Sequence, residues 1–211
     1  VNVLHDVGAA SLKEICYFTG VTAGVIKALE KKGLITIDDR PKYRIPYVNY
    51  SAKASEEIIL TDIQQKAYEG LSSKYKKGSG VALLYGITGS GKTSVFLKLI
   101  DEVIKEGRQV IVMVPEISLT PQMMGIFKGR YGNEVAIFHS ALSTGERKDE
   151  YRRVSDGEVR IVVGTRSAVF APFKNLGLIV IDEEQEHTYN SASSPRYHTR
   201  DVAKFRAAEH N

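Results

Sequence analysis

The chain has 211 residues, of which 43% are hydrophobic and 26% are charged, and its 29 basic and 25 acidic side chains leave a formal charge of +4. This composition is typical of a globular protein with one large domain, or with one large and one small domain. The single cysteine, Cys16, excludes an internal disulfide and a zinc site built on several cysteines. No apolar run approaches about 18 residues and no signal pattern opens the sequence, so we predict a cytoplasmic chain without a membrane span.

The N-terminal segment predicts two short helices followed by a strand hairpin. Apolar residues recur at helical spacing from Leu12 to Cys16, Thr22 precedes a second helix, and Gly33 ends it. A strand is predicted from Leu34 to Ile37. This order is typical of a winged helix, whose second helix can enter the major groove of DNA. Basic side chains of this segment are suited to DNA phosphates, and the candidate contacts are Lys27, Lys31, Arg40, Lys42 and Arg44.

The sequence changes character between Asp38 and Glu57, where prolines and polar residues interrupt every helical period. Such a segment cannot bury a core face of its own, so we interpret it as a linker. We therefore predict a small N-terminal domain with its linker at residues 1–54 and a larger domain at residues 55–211.

Apolar runs alternate with amphipathic segments in the larger domain. Continuous apolar runs are typical of buried parallel strands, and their alternation with helices predicts an α/β domain with helices on both faces of the sheet. The predicted strands are 81–85, 110–114, 135–138, 161–163 and 178–181. The predicted helices between them are 93–106, 121–130 and 143–155.

A glycine-rich segment, GITGSGKT, follows the first predicted strand and opens the next helix. It fits the P-loop pattern GxxxxGK[ST], in which glycines let backbone N–H groups surround a phosphate at a helix N-terminus. We expect Lys92 to contact the β- and γ-phosphates of ATP and the Thr93 hydroxyl to hold Mg²⁺. The predicted nucleotide-binding residues of this segment are Gly86, Ile87, Thr88, Gly89, Ser90, Gly91, Lys92 and Thr93.

Two adjacent acidic residues, Asp182 and Glu183, follow the last predicted strand. Ligands of open α/β sheets bind at the carboxyl ends of the strands. We expect Asp182 to complete the Mg²⁺ coordination and Glu183 to activate the attacking water, so Lys92, Asp182 and Glu183 are the predicted catalytic residues. A solvated acidic loop is the alternative interpretation.

Weaker signals lie upstream of the P-loop and in two loops that follow strands. The amide of Gln64 can donate to and accept from the edge of adenine, although glutamines that start helices are common. Small hydroxylated residues and one arginine in the loops 115–122 and 164–173 suit the phosphates of single-stranded DNA. Capping of the following helices is the alternative for these loops. Their candidate DNA contacts are Ser118, Thr165 and Arg166.

The segments GITGSGKT, VMVPEISLTPQ and GTRSAVFAPFKNLGLIVIDEE closely resemble the PriA family of DNA helicases of superfamily 2, which restart stalled replication forks. The resemblance implies that they are helicase motifs I, Ia, Ib and II of a RecA-like P-loop NTPase lobe, preceded by a small winged-helix domain. It also implies ATP-driven 3′-to-5′ translocation on forked and single-stranded DNA during primosome assembly. The implied partners are replication restart proteins and single-stranded-DNA-binding protein.

The sequence departs from the family pattern at one motif position. Gln185 replaces the usual histidine of motif II, which links nucleotide state to DNA contacts in the family. The following segment, 186–200, resembles the aromatic-rich DNA-sensing loop of the family, and Tyr197 is our candidate DNA contact there. We expect this chain to be a nearly inactive piece of a longer protein, in which the second motor lobe, an arginine finger and a zinc region lie elsewhere.

Two other functions fit the sequence less well. A nonenzymatic winged-helix adaptor for DNA or protein, with a lobe that senses nucleotide, is the main alternative. A P-loop phosphotransferase is disfavoured because the adjacent acids Asp182 and Glu183 suit water activation.

Overall fold

A computed structural model describes residues 12, 16, 19–37, 57–87, 89–119, 121–140 and 142–210. The chain divides into two compact units, Val1–Tyr43 and Arg44–Asn211. Almost all of the predicted linker lies outside the described residues, so the predicted boundary between residues 54 and 55 stays a prediction. The candidate site residues that also lie outside them are Arg40, Lys42, Arg44 and Thr88.

The first unit contains the predicted second helix, α1, at Ala23–Lys31. Thr22 precedes it in extended conformation, Ile26 is its buried side chain, and Gly33 ends the segment with a φ of +68°. The strand predicted from Leu34 to Ile37 is wrong, because these residues are irregular and the Ile37 N–H donates to Glu30 Oε1 at 3.2 Å. A strand needs a hydrogen-bonded neighbour, and the described part of this unit contains none. The winged-helix arrangement therefore stays a prediction.

The second unit is built on a parallel sheet of four strands in the order β2-β3-β1-β4. Each strand is an apolar run that follows a polar or glycine-containing turn, as expected for strands buried between helical layers. Four of the five predicted strands are confirmed: β1 is Gln109–Met113, β2 is Val135–Phe138, β3 is Ile161–Gly164 and β4 is Leu176–Ile181.

Five helices accompany this sheet in the described residues, and the three predicted helices are among them. They are α2 at Asp62–Lys76, α3 at Lys92–Lys105, α4 at Pro121–Tyr131, α5 at Thr144–Ser155 and α6 at Thr199–His210. Helices α2 and α5 each begin with a capping box. In each box, the hydroxyl of the residue before the helix accepts from the backbone N–H three residues later, and the side chain of that later residue accepts from the backbone N–H of the first. None of the described helices has the length and apolar character needed to cross a membrane.

Helices cover both faces of the sheet, which confirms the predicted α/β class. On one face, Ile100 of α3 and Phe127 of α4 pack against alternate strand residues such as Val112. On the other face, Ile111 belongs to a second cluster with Val154 of α5. Ala203 of α6 lies in the same second cluster. The neighbouring residues 111 and 112 thus point to opposite faces of the sheet. This alternation is expected for a strand that is buried on both faces.

The predicted strand 81–85 is wrong as a member of this sheet. Residues 81–87 form no strand, and Val81, Leu83, Tyr85 and Ile87 are between 61% and 91% exposed. An apolar run becomes a buried strand only where a neighbouring strand supplies hydrogen bonds. Among the described residues, no strand pairs with 81–87, and β4 is the end strand of the sheet.

Candidate nucleotide site

The glycine-rich loop runs directly into helix α3, which begins at Lys92. Gly89 and Gly91 have φ values of +80° and +79°, a region that glycine enters without steric cost. The Lys92 ammonium donates to the carbonyl oxygens of Gly86 at 2.9 Å and Ile87 at 3.2 Å, so the loop curls around it. This places a lysine and the positive end of a helix at one point, as phosphate binding requires.

Gln64 connects this loop to the start of α2. Its Oε1 accepts from the Thr61 N–H at 3.0 Å, while its Nε2 donates to the Ser90 carbonyl at 3.0 Å. A Cβ atom on Gly91 would push the Gln64 amide out of this position, and the φ of +79° is itself unfavourable for any other residue. Each end of the amide makes one hydrogen bond within the protein, which leaves one N–H of Nε2 and one lone pair of Oε1 for a ligand such as adenine.

The predicted acids lie at the carboxyl end of β4. The Asp182 N–H donates to the Met113 carbonyl at 2.9 Å, which continues the pairing of β4 with β1. The Glu183 N–H donates to Asp182 Oδ1 at 3.1 Å, and Glu183 has a φ of +47°. Gln185 Nε2 donates to Glu183 Oε2 at 2.7 Å. Each of the two carboxylates therefore has one oxygen held by a hydrogen bond within this turn.

The electrostatics of Asp182 suit a bound cation. Burial raises the pKa of Asp182, the charge of Glu183 raises it further, and the Glu183 amide and the Lys92 ammonium oppose this rise. The Lys92 charge thus favours the ionised form of Asp182. The Asp182 carboxylate and the Thr93 hydroxyl are oxygen donors of the kind that Mg²⁺ prefers, so the residues present fit this ion.

The candidate DNA contacts of this unit follow β1 and β3 at the same edge of the sheet as the acids. Ser118 ends a short 3-10 helix after β1, and Thr165, after β3, is only 5% exposed. The Arg166 guanidinium donates to the Asn190 carbonyl at 2.7 Å. The Tyr197 ring packs edge-on against Phe170, with their centroids 5.1 Å apart.

The two described candidate contacts of the first unit are on α1. Lys27 and Lys31 are exposed and stand four residues apart, which places them on one face of the helix. Ile26 of the same helix is 3% exposed. The helix thus buries an apolar residue and leaves both ammonium groups accessible to an anionic ligand.

Sequence reasoning missed the contacts that tie motif II to the segment after it. The Tyr189 hydroxyl donates to the Asp182 carbonyl at 2.7 Å, and Arg200 forms an ion pair with Glu184 at 3.0 Å. A further contact that sequence reasoning missed joins α6 to the loop after β3, where the Arg206 guanidinium donates to the Val169 carbonyl. A tyrosine in a polar stretch is a weak sequence signal, because its partner is known only once the chain has folded.

Comparison with known proteins agrees with these motifs. Residues 61–205 match the model of the DEAD/DEAH box helicase family. The chain is 48% identical over 203 residues to the replication restart protein PriA of Bacillus subtilis, covering 94% of this chain and 25% of that protein. It is 43% identical over 187 residues to the PriA of Synechocystis, covering 88% of this chain and 22% of that protein.

The chain is also similar to a solved structure, the Sulfolobus solfataricus SWI2/SNF2 ATPase core in complex with dsDNA. The match covers 60% of this chain and 26% of the chain in that structure, with 20% sequence identity and a TM-score of 0.46. The chain spans about a quarter of the length of the curated relatives it matches. The resemblance to PriA that the motifs predict is confirmed at 48% and 43% identity. Because the family model covers residues 61–205, the chain belongs to the DEAD/DEAH box helicase family.

Proposed function

We propose that this chain binds Mg·ATP as part of an ATP-dependent DNA helicase that acts in the restart of replication forks. The observation that carries this proposal is the glycine-rich loop that curls around the Lys92 ammonium at the start of α3. The acidic turn at the carboxyl end of β4 adds the carboxylates that this chemistry needs. The family match and the relatives named as replication restart proteins support the helicase assignment.

The residues divide the chemistry of ATP hydrolysis between them. Lys92 exchanges the carbonyls of Gly86 and Ile87 for phosphate oxygens, and Thr93 and Asp182 hold Mg²⁺, which neutralises phosphate charge when it is bound. Glu183 accepts a proton from the attacking water. The Gln185 amide donates to Glu183 Oε2 at 2.7 Å. This bond orients the carboxylate before the substrate binds.

DNA binding is the second part of this proposal. The loops after β1 and β3, with Ser118, Thr165 and Arg166, contact the phosphates of single-stranded DNA, and the ring of Tyr197 contacts a base or sugar. Lys27 and Lys31 of the first unit contact the backbone of forked DNA. The family resemblance supports the 3′-to-5′ direction of translocation. It also supports restart proteins and single-stranded-DNA-binding protein as partners.

Calorimetric titration with Mg·ADP tests the nucleotide site. Lys92→Ala removes a charge-assisted contact to phosphate, so we expect its affinity for ADP to fall by about 2–3 kcal/mol. Lys105→Ala is the matched control, because Lys105 lies in the last turn of the same helix. An unchanged ADP affinity in the Lys92→Ala variant would contradict the assignment of this loop.

A further inference from the structure

The peptide group between Asp182 and Glu183 is held at both of its polar atoms. Its N–H, from Glu183, donates to Asp182 Oδ1 at 3.1 Å, and its carbonyl, from Asp182, accepts from the Tyr189 hydroxyl at 2.7 Å. The first bond fixes the carboxylate that we propose as a Mg²⁺ ligand. The second bond comes from a residue that no motif assigns to the site.

This peptide needs support because of the backbone conformation that follows it. Glu183 has a φ of +47°, and among the described residues it is the sole non-glycine residue with a positive φ. That conformation crowds the Cβ atom against the backbone and is unfavourable for an L-residue. Rotation of the peptide would relieve the crowding, but it would also carry the Glu183 N–H away from Asp182 Oδ1.

Tyr189 is itself rigidly placed. It ends a short 3-10 helix at His187–Tyr189 and is 1% exposed within the core cluster under α6. Its carbonyl accepts from the Thr199 hydroxyl at 3.1 Å, and Thr199 is fully buried at the start of α6. The hydroxyl that reaches Asp182 is therefore attached to the core of the unit and not to a mobile surface loop.

We propose that Tyr189 is a positioning residue for metal binding, which holds the Asp182–Glu183 peptide so that the Asp182 carboxylate keeps its orientation toward Mg²⁺. The inference rests on the proposed Mg·ATP site. Tyr189 does not touch the nucleotide in this role, and it acts only through Asp182. Its loss should therefore weaken the part of nucleotide binding that depends on Mg²⁺ and spare the part that depends on the P-loop.

The test compares ADP affinity with Mg²⁺ and with EDTA for the whole chain and its Tyr189→Phe variant. The phenyl ring keeps the packing, so we expect unchanged ADP affinity in EDTA and a gain from Mg²⁺ that is about fivefold to tenfold smaller than in the wild type. Tyr75→Phe is the matched control. It also removes a hydrogen-bonded hydroxyl, the one that donates to Glu106 at 2.7 Å, and it should change neither affinity.

Each outcome decides between the two proposals. If the wild-type chain gains no ADP affinity from Mg²⁺, the proposed site fails and the inference falls with it. The positioning role is overturned, while the site stands, if the Tyr189→Phe variant keeps the full gain in ADP affinity from Mg²⁺. It is also overturned if the variant loses as much ADP affinity in EDTA as in Mg²⁺. Should Tyr189→Phe not fold, as judged by thermal melting, Thr199→Val should reduce the same gain, and an unchanged gain in that variant also overturns the inference.

Discussion

At the scale of single residues, the Gln64 amide joins helix α2 to the glycine-rich loop through Thr61 and Ser90. These bonds hold the amide in place and leave one N–H and one lone pair of it for adenine. If Gln64 reads adenine, Gln64→Ala should weaken ADP binding by about 1 kcal/mol and leave GDP binding unchanged. Titration with the two nucleotides measures this difference. An equal loss for both would mean that Gln64 acts on the loop through Ser90 instead of on the base.

Gln185 shows what a neutral side chain does in motif II. Its amide donates to the carboxylate of Glu183 at 2.7 Å. An amide does not titrate, whereas an imidazole changes charge near neutral pH. The hydrogen bond that orients Glu183 in this chain therefore does not depend on the protonation of its donor.

At the scale of elements, two charged side chains bind the outer edge of β2, the end strand of the sheet, and a third binds the turn before it. Lys128 of α4 donates to the Val135 carbonyl at 2.6 Å, and Glu150 of α5 accepts from the Ile137 N–H at 3.1 Å. Arg153 pairs with Glu150 at 2.7 Å and donates to the Asn133 carbonyl at 2.5 Å. An unpaired strand edge invites association with other chains, and here side chains occupy the Val135 carbonyl and the Ile137 N–H of that edge.

Removal of Glu150 should be costly. It is 1% exposed, so Glu150→Ala would leave the buried Arg153 without its closest counter-charge and the Ile137 N–H without its acceptor. We expect a loss of about 3–5 kcal/mol in the free energy of unfolding, measured by chemical denaturation. Glu158→Ala is the control, because Glu158 lies 3.9 Å from Arg153 with half of its side chain exposed, and it should cost less than about 1 kcal/mol. Similar losses in both variants would argue against a closed edge.

At the scale of the whole molecule, the two units divide the proposed work between nucleotide and duplex. The second unit carries the P-loop and the acidic turn, whereas the first unit carries Lys27 and Lys31 on the exposed face of α1. Contacts between ammonium groups and phosphates release counterions and carry no sequence information. The first unit is therefore expected to bind DNA by charge and shape.

This expectation has a defined salt dependence. The affinity of the chain for forked DNA should fall with salt at a log–log slope of about −0.9 per neutralised phosphate, and joint replacement of Lys27 and Lys31 by alanine should make that slope shallower by about 2. Fluorescence anisotropy over a salt series measures both slopes. Lys105→Ala, which removes a charge from the second unit, should leave the slope nearly unchanged. No binding at about 50 mM salt would instead favour a protein-adaptor role for the first unit.

Sequence alone predicted the features that depend on short-range pattern. The glycine positions, the following lysine and the helix that starts there are all encoded within a few residues, and α3 begins at Lys92 accordingly. Strands β1 to β4 were predictable because continuous apolar runs admit few other structures between helices. The adjacent acids Asp182 and Glu183 could be placed at the end of β4 for the same local reason.

Only the tertiary structure decided the features that depend on a partner distant in the chain. The apolar run 81–87 has the composition of a strand, but pairing requires a neighbour, and it lies exposed outside the described sheet. The Tyr189 hydroxyl, the Gln64 amide and the Glu150 carboxylate each bind a backbone group of another segment. Sequence spacing carries no information about which backbone group such a side chain will reach, because that distance is set by how helices and strands pack.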